Sequence, residues 1–149
     1  MAQDLMAKSD QAAASARVLL DTGDADGACN RAYYAMFDAA RAALLISGSA
    51  IGKTHNGVLN AFSDRLVKNG PLPKEMGRLL QYAETFRRAA DSNGNSVEQA
   101  DALKMVEQAE IFVAAIRAEF IFNAAQIRQI QDPDTPPNSQ GESNTAEPG

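Results

Sequence analysis

The sequence predicts an all-α fold, an antiparallel bundle of four to five helices. Apolar residues recur at three- and four-residue spacing, and no segment alternates with period two, so no sheet is expected. Glycines, prolines and Asp/Asn/Ser clusters divide the chain into helix-length stretches joined by short connections, which favours antiparallel neighbours. At 149 residues and 45% hydrophobic content the chain can bury one contiguous core.

The first helix is expected from about Gln3 to Thr22, with Leu5, Ala12, Ala16 and Leu19 at helical spacing. Gly23 suits its end, because glycine takes the left-handed conformation without strain. Asp24 or Asp26 can cap a second helix that runs to about Ser47. After a loop at Gly48–Lys53, a third helix runs from about Thr54 to Asn69 and stops at Gly70. Pro71 and Pro73 block continuation and can start a fourth helix, to about Asp91. Ser92-Asn93-Gly94-Asn95 reads as a loop. Ser96 and Gln99 form a capping-box pattern ahead of the fifth helix. Leu103, Val106, Ala109, Val113, Ile116 and Phe120 give that helix a bundle seam, and it is expected to reach Ile127 or beyond.

Residues 1–131 thus form the bundle, and residues 132–149 an acidic tail. Pro133, Pro136, Pro137 and Pro148 stand in that tail among polar residues, a composition that cannot offset the entropy of ordering. Net charge is −5. The tail holds four acids and no base, and setting it aside leaves 15 acids against 14 bases, so a local basic surface on the body remains open. No segment approaches the roughly 18–20 apolar residues of a membrane span, and no signal peptide is read. The single cysteine, Cys29, excludes an internal disulfide. These features suit a reducing cytoplasm.

The second helix carries unusual chemistry. Residues 29–41 read Cys-Asn-Arg-Ala-Tyr-Tyr-Ala-Met-Phe-Asp-Ala-Ala-Arg. Asn30, Tyr34 and Arg41 share one stripe of this helix, and Arg31 and Asp38 another. Polar groups in so alanine- and aromatic-rich a helix are expected to be partly buried and partnered. Two readings stay open: a hydrogen-bonded network that fixes helix register, or a site of arginine, amide and tyrosine hydroxyl suited to phosphate.

The run Asn30-Arg31-Ala32-Tyr33-Tyr34-Ala35-Met36-Phe37, followed by Ala39-Ala40-Arg41-Ala42-Ala43-Leu44, resembles the hallmark helix of the HEPN superfamily. Lys53-Thr54-His55-Asn56-Gly57-Val58 resembles that family's next motif, and Arg87 with Asp91 its third landmark. The resemblance spans roughly Met1 to Phe122. It implies a bundle that usually dimerises, with a polar groove at or near the interface. Many such proteins are metal-independent ribonucleases, some of them toxins paired with a small nucleotidyltransferase, and others are non-catalytic scaffolds. Nuclease members typically carry an arginine followed by four to six residues and then a histidine. His55 is the sole histidine, and Ala50, Ser49 and Gly48 occupy the positions where that spacing would put the arginine.

The expected function is therefore RNA or nucleotide binding, extending to metal-independent RNA cleavage by a toxin of a toxin–antitoxin pair. His55 and Arg31 are the catalytic candidates. Asn30, Tyr34, Lys53 and Arg87 are the candidates for binding RNA or nucleotide. A general base would take the proton of a ribose 2′-hydroxyl, and arginine forks would hold the phosphate. Each candidate has a structural counterpart: ion pairs of Arg31 with Asp38 and of Arg87 with Asp91, tyrosines in the core, and a histidine that caps or packs. The alternative function is a non-catalytic dimeric module that docks a nucleotidyltransferase. No cofactor is expected, and one His with one Cys gives no metal-ligand set. Gly52-Lys53-Thr54 is not a phosphate-binding loop, because Ser47 stands at the required glycine and no strand precedes it.

Overall fold

The computed structural model describes residues 1–122 except 51, 53 and 95. Lys53, the expected extension to Ile127 and the acidic tail lie outside the described residues. Five helices follow one another: α1 (Ala2–Asp21), α2 (Ala25–Ile46), α3 (His55–Ala61), α4 (Lys74–Asn93) and α5 (Gln99–Ile116). The third continues over Phe62–Lys68, and the fifth over Arg117–Phe122, in the wider π winding. No strand occurs among the described residues.

The expected punctuation operates at most ends. Gly23 has φ +91° and turns the chain after α1. Asp24 accepts from the Gly27 amide at 2.9 Å, and Thr54 from the Gly57 amide at 3.1 Å, so each caps the helix that follows. Two expectations are corrected here. The Ser96–Gln99 capping box does not form: α5 begins at Gln99 with no side-chain cap, and Gln99 instead donates to the Leu20 carbonyl at 2.7 Å. The fourth helix runs through Ser92 to Asn93 and ends against left-handed Gly94, since serine and asparagine tolerate a last turn that glycine closes.

Helix α1 packs most extensively on α2. Alanines make this pairing close: Ala12 and Ala16 on α1, and Ala28, Ala32, Ala35, Ala39 and Ala43 on α2, are buried. Ser9, fully buried, donates its hydroxyl to the Ala35 carbonyl at 2.7 Å, so the one polar group there is satisfied. Gln99–Leu20, the bidentate Arg17–Glu110 pair and Arg117–Asp10 run in opposite order along α1 and α5, so these helices are antiparallel. On α5 the buried face is Ala102, Met105, Val106, Ala109, Phe112, Val113 and Ile116. Leu103, expected on the seam, is 40% exposed; Met105 and Phe112 rotate the buried stripe away from it.

The core closes through α3 and α4. Phe62 and Phe112, both fully buried, bring the π segment onto α5 with ring centroids 5.5 Å apart. Full burial of each such ring contributes about 1.5–3 kcal/mol. Gly70 ends that segment, and a Cβ there would lie 2.5 Å from the Arg65 carbonyl oxygen and 2.6 Å from Leu66 Cα. Only glycine fits without moving backbone. No helix among the described residues is long and apolar enough to cross a membrane.

Candidate functional site

Helix α2 supplies an aromatic wall. Tyr33 is fully buried, Phe37 is buried and Tyr34 is half-buried. His55, the first residue of α3, comes back against this wall, 4.7 Å from Phe37, 5.5 Å from Tyr33 and 5.9 Å from Tyr34 between ring centroids. The ring stays 29% exposed on its side chain.

Helix α4 brings charge to the other side of His55. Arg87 Nη2 lies 3.2 Å from His55 Nδ1, and its guanidinium stacks 4.9 Å over the Tyr33 ring. Arginine has no acceptor, so Nδ1 accepts and the neutral imidazole carries its proton on Nε2. The Arg-to-His contact that is absent along the chain is thus made across two helices.

Beneath this contact sits Glu84, 2% exposed. Its Oε2 accepts from Arg87 Nη2 at 3.1 Å and from Arg88 Nε at 2.6 Å. Burial works to raise this carboxyl, but its approach to the Tyr33 hydroxyl and the guanidiniums of Arg88 and Arg87 outweighs it and holds Glu84 below the usual carboxylate range. Glu84 Oε1 lies 3.8 Å from His55 Nδ1 and has no regular hydrogen-bond partner among the described residues. Burial, with Glu84 nearby, pushes the Tyr33 phenol up.

The candidates from the sequence distribute unevenly. His55, Arg87 and Tyr34 meet. Asn30 is exposed and lines a cleft of about 280 Å³ together with Arg87, Asp26 and Cys29. Arg31 makes no contact with His55 among the described residues; its guanidinium rests 5.6 Å over the Tyr34 ring, one layer outward. Arg41, not Arg31, pairs with Asp38, at 3.8 Å, and burial raises the Asp38 carboxyl against the pull of Arg41, Lys8 and Arg31. Glu84 and Arg88 were missed, because a glutamate and an arginine within a polar helix read as solvated surface. Glu84 with Arg88 four residues on was the available signal. Among the described residues no three His, Cys, Asp or Glu side chains converge as a metal site.

An all-helical bundle with an arginine–histidine contact beside a tyrosine-rich second helix defines a recognisable class. The HEPN domain model matches residues 2–119, and the chain belongs to that family. It is 37% identical over 121 residues to a UPF0332 protein of Gloeobacter violaceus, covering 80% of this chain and 94% of the relative. It is 36% identical over 103 residues to a UPF0332 protein of Thermotoga maritima, covering 68% and 76%. A protein of Methanocaldococcus jannaschii that bears the name "Putative toxin" is 29% identical over 115 residues, covering 77% and 85%.

Proposed function

We propose that this chain is a HEPN-type toxin that binds RNA at the His55–Arg87 contact and cleaves it without a metal ion. The carrying observation is the 3.2 Å approach of Arg87 to His55 Nδ1, with Glu84 Oε1 at 3.8 Å from the same nitrogen. The toxin name of similar proteins supports the reading.

Arg87 supplies a donor fork for a phosphate, while Arg88 is held by Glu84 and Asn56 and braces the site. When Arg87 turns onto that phosphate it releases Nδ1. The imidazole proton then moves to Nδ1 and faces Glu84 Oε1, which frees Nε2 to take the 2′-hydroxyl proton. The 2′-oxygen attacks the adjacent phosphorus, the bond to the 5′-oxygen breaks, and that oxygen takes a proton from the imidazolium. The products are a cyclic 2′,3′-phosphate and a 5′-hydroxyl. Asn30 orients the chain entering beside Arg87, and Arg31, on Tyr34, binds the RNA backbone one layer out. Lys53, two positions ahead of His55 in the sequence, is a further RNA-binding candidate. The protein acts in the cytoplasm as a homodimer, held in check by a nucleotidyltransferase antitoxin.

The test is cleavage of labelled RNA in EDTA by the wild-type protein, His55→Ala and Arg87→Lys, each confirmed folded. Cleavage by wild type that is lost in both variants supports the reading; cleavage retained by His55→Ala, or none by folded wild type, overturns the catalytic part. A second reading, a docking module for the nucleotidyltransferase, draws on exposed apolar residues: Val18 on α1 is 60% and Ile111 on α5 61% exposed. Partner binding lost in Val18→Glu and Ile111→Glu, with no cleavage by wild type, would favour it.

A further inference from the structure

Among the described residues, two clefts lie beside the His55–Arg87 contact. The one that holds Asn30 belongs to the phosphate-binding side already described. The second, about 240 Å³, opens between α3 and α4. Leu59 lines it with apolar surface, and Asn60, Gln81 and Thr85 line it with uncharged polar groups beside Asn56 and Arg88.

We propose that this cleft is a base-recognition subsite for adenine in single-stranded RNA, holding the nucleotide next to the phosphate at Arg87. The proposal rests on the RNA reading above and adds to it the base that is read. Unstacked bases of single-stranded RNA are read at their edges by hydrogen bonding while a face rests on a side chain. Leu59, buried from bulk water, offers that support. A carboxamide such as that of Asn60 or Gln81 carries a donor and an acceptor in one plane, the complement of adenine's amino group and N7. Neither amide is engaged by another described residue.

Guanine fits less well. Its paired acceptors call for an arginine fork, and the fork of Arg88 is already spent: Nε donates to Glu84 at 2.6 Å and Nη2 to Asn56 Oδ1 at 3.0 Å. The same two bonds fix the cleft's shape relative to His55, since Asn56 follows His55 in the chain and Glu84 lies beneath it.

The test is fluorescence anisotropy of the full chain with labelled ten-residue oligouridine that carries one central adenine, guanine or cytosine, or none. The wild type is expected to bind the adenine oligomer about tenfold tighter than plain oligouridine, the size of one good bidentate base contact. Asn60→Ala with Gln81→Ala should abolish that preference, so that the adenine oligomer binds no tighter than oligouridine. Gln81→Glu, which keeps the side-chain shape but presents only acceptors, should abolish it too. Base-blind RNA binding by the wild type, or an adenine preference that survives in the variants, overturns the subsite and leaves the RNA reading standing. No binding of any oligomer overturns both.

Discussion

Glu84 accepts from Arg88 Nε at 2.6 Å, one helical turn along α4, and the same carboxylate oxygen also takes Arg87 at 3.1 Å. One buried anion therefore fixes two arginines, and its own protonation state becomes part of the fold. A carboxyl held below its ordinary range binds fewer protons folded than unfolded, so its stabilisation is present above the unfolded value near pH 4.3 and is lost as pH falls through the folded value. Urea unfolding should show the wild type losing stability below about pH 4. Glu84→Gln should cost about 1–3 kcal/mol at neutral pH and flatten the acid limb. An acid limb of unchanged slope in the variant would show that Glu84 does not carry it.

Tyr33 gives the opposite sign. Its phenol is raised by burial first and by Glu84 second. The folded state then holds the proton longer than the unfolded state. The stabilisation is complete below the unfolded value of about 10 and is lost as pH rises beyond it. Tyr33→Phe should resist alkaline unfolding better than the wild type, as followed by circular dichroism between pH 9 and 11.5. Equal alkaline midpoints would count against this assignment.

Cys29 is buried, and burial foremost pushes its thiol up to about 11, with Asp26 and Asp101 adding to the effect. Only the thiolate attacks disulfides. An aromatic disulfide reagent at pH 8 should label the native protein at least a hundredfold more slowly than the urea-unfolded chain. Comparable rates would mean that the thiol is accessible and activated.

At the α1–α2 contact, Ser9→Ala removes the 2.7 Å bond to the Ala35 carbonyl and should cost about 1 kcal/mol. Gly70→Ala should cost more, because backbone atoms of Arg65 and Leu66 occupy the space its methyl needs. Chemical unfolding of both variants, compared under the same conditions, checks the order.

The helix ends could be read from sequence because caps act locally: Asp24, Thr54 and Gly23 need only their own neighbours to work. His55 and Arg87 were named, but their contact was not, because it depends on where α3 and α4 meet. Glu84 stayed hidden for the same reason. Nothing in Tyr82-Ala83-Glu84-Thr85 marks a buried anion until Tyr33, His55 and two arginines surround it. The inner face of α5 was misjudged at Leu103 because alanine, methionine and phenylalanine at neighbouring positions admit two rotations of the stripe, and only the packed partners choose between them. The π winding after Ala61 and Ile116 leaves no mark that spacing could detect.

The partners at His55 are separated by 32 residues of chain, and this sets when during synthesis the site can exist. A ribosome-bound chain that has exposed α1, α2 and α3 holds the histidine and the aromatic wall, yet neither the cation nor the anion that completes them. The contact forms only after α4 has cleared the exit tunnel and folded back on its predecessors. Until then a nascent chain lacks the contact on which the proposed RNA cleavage rests.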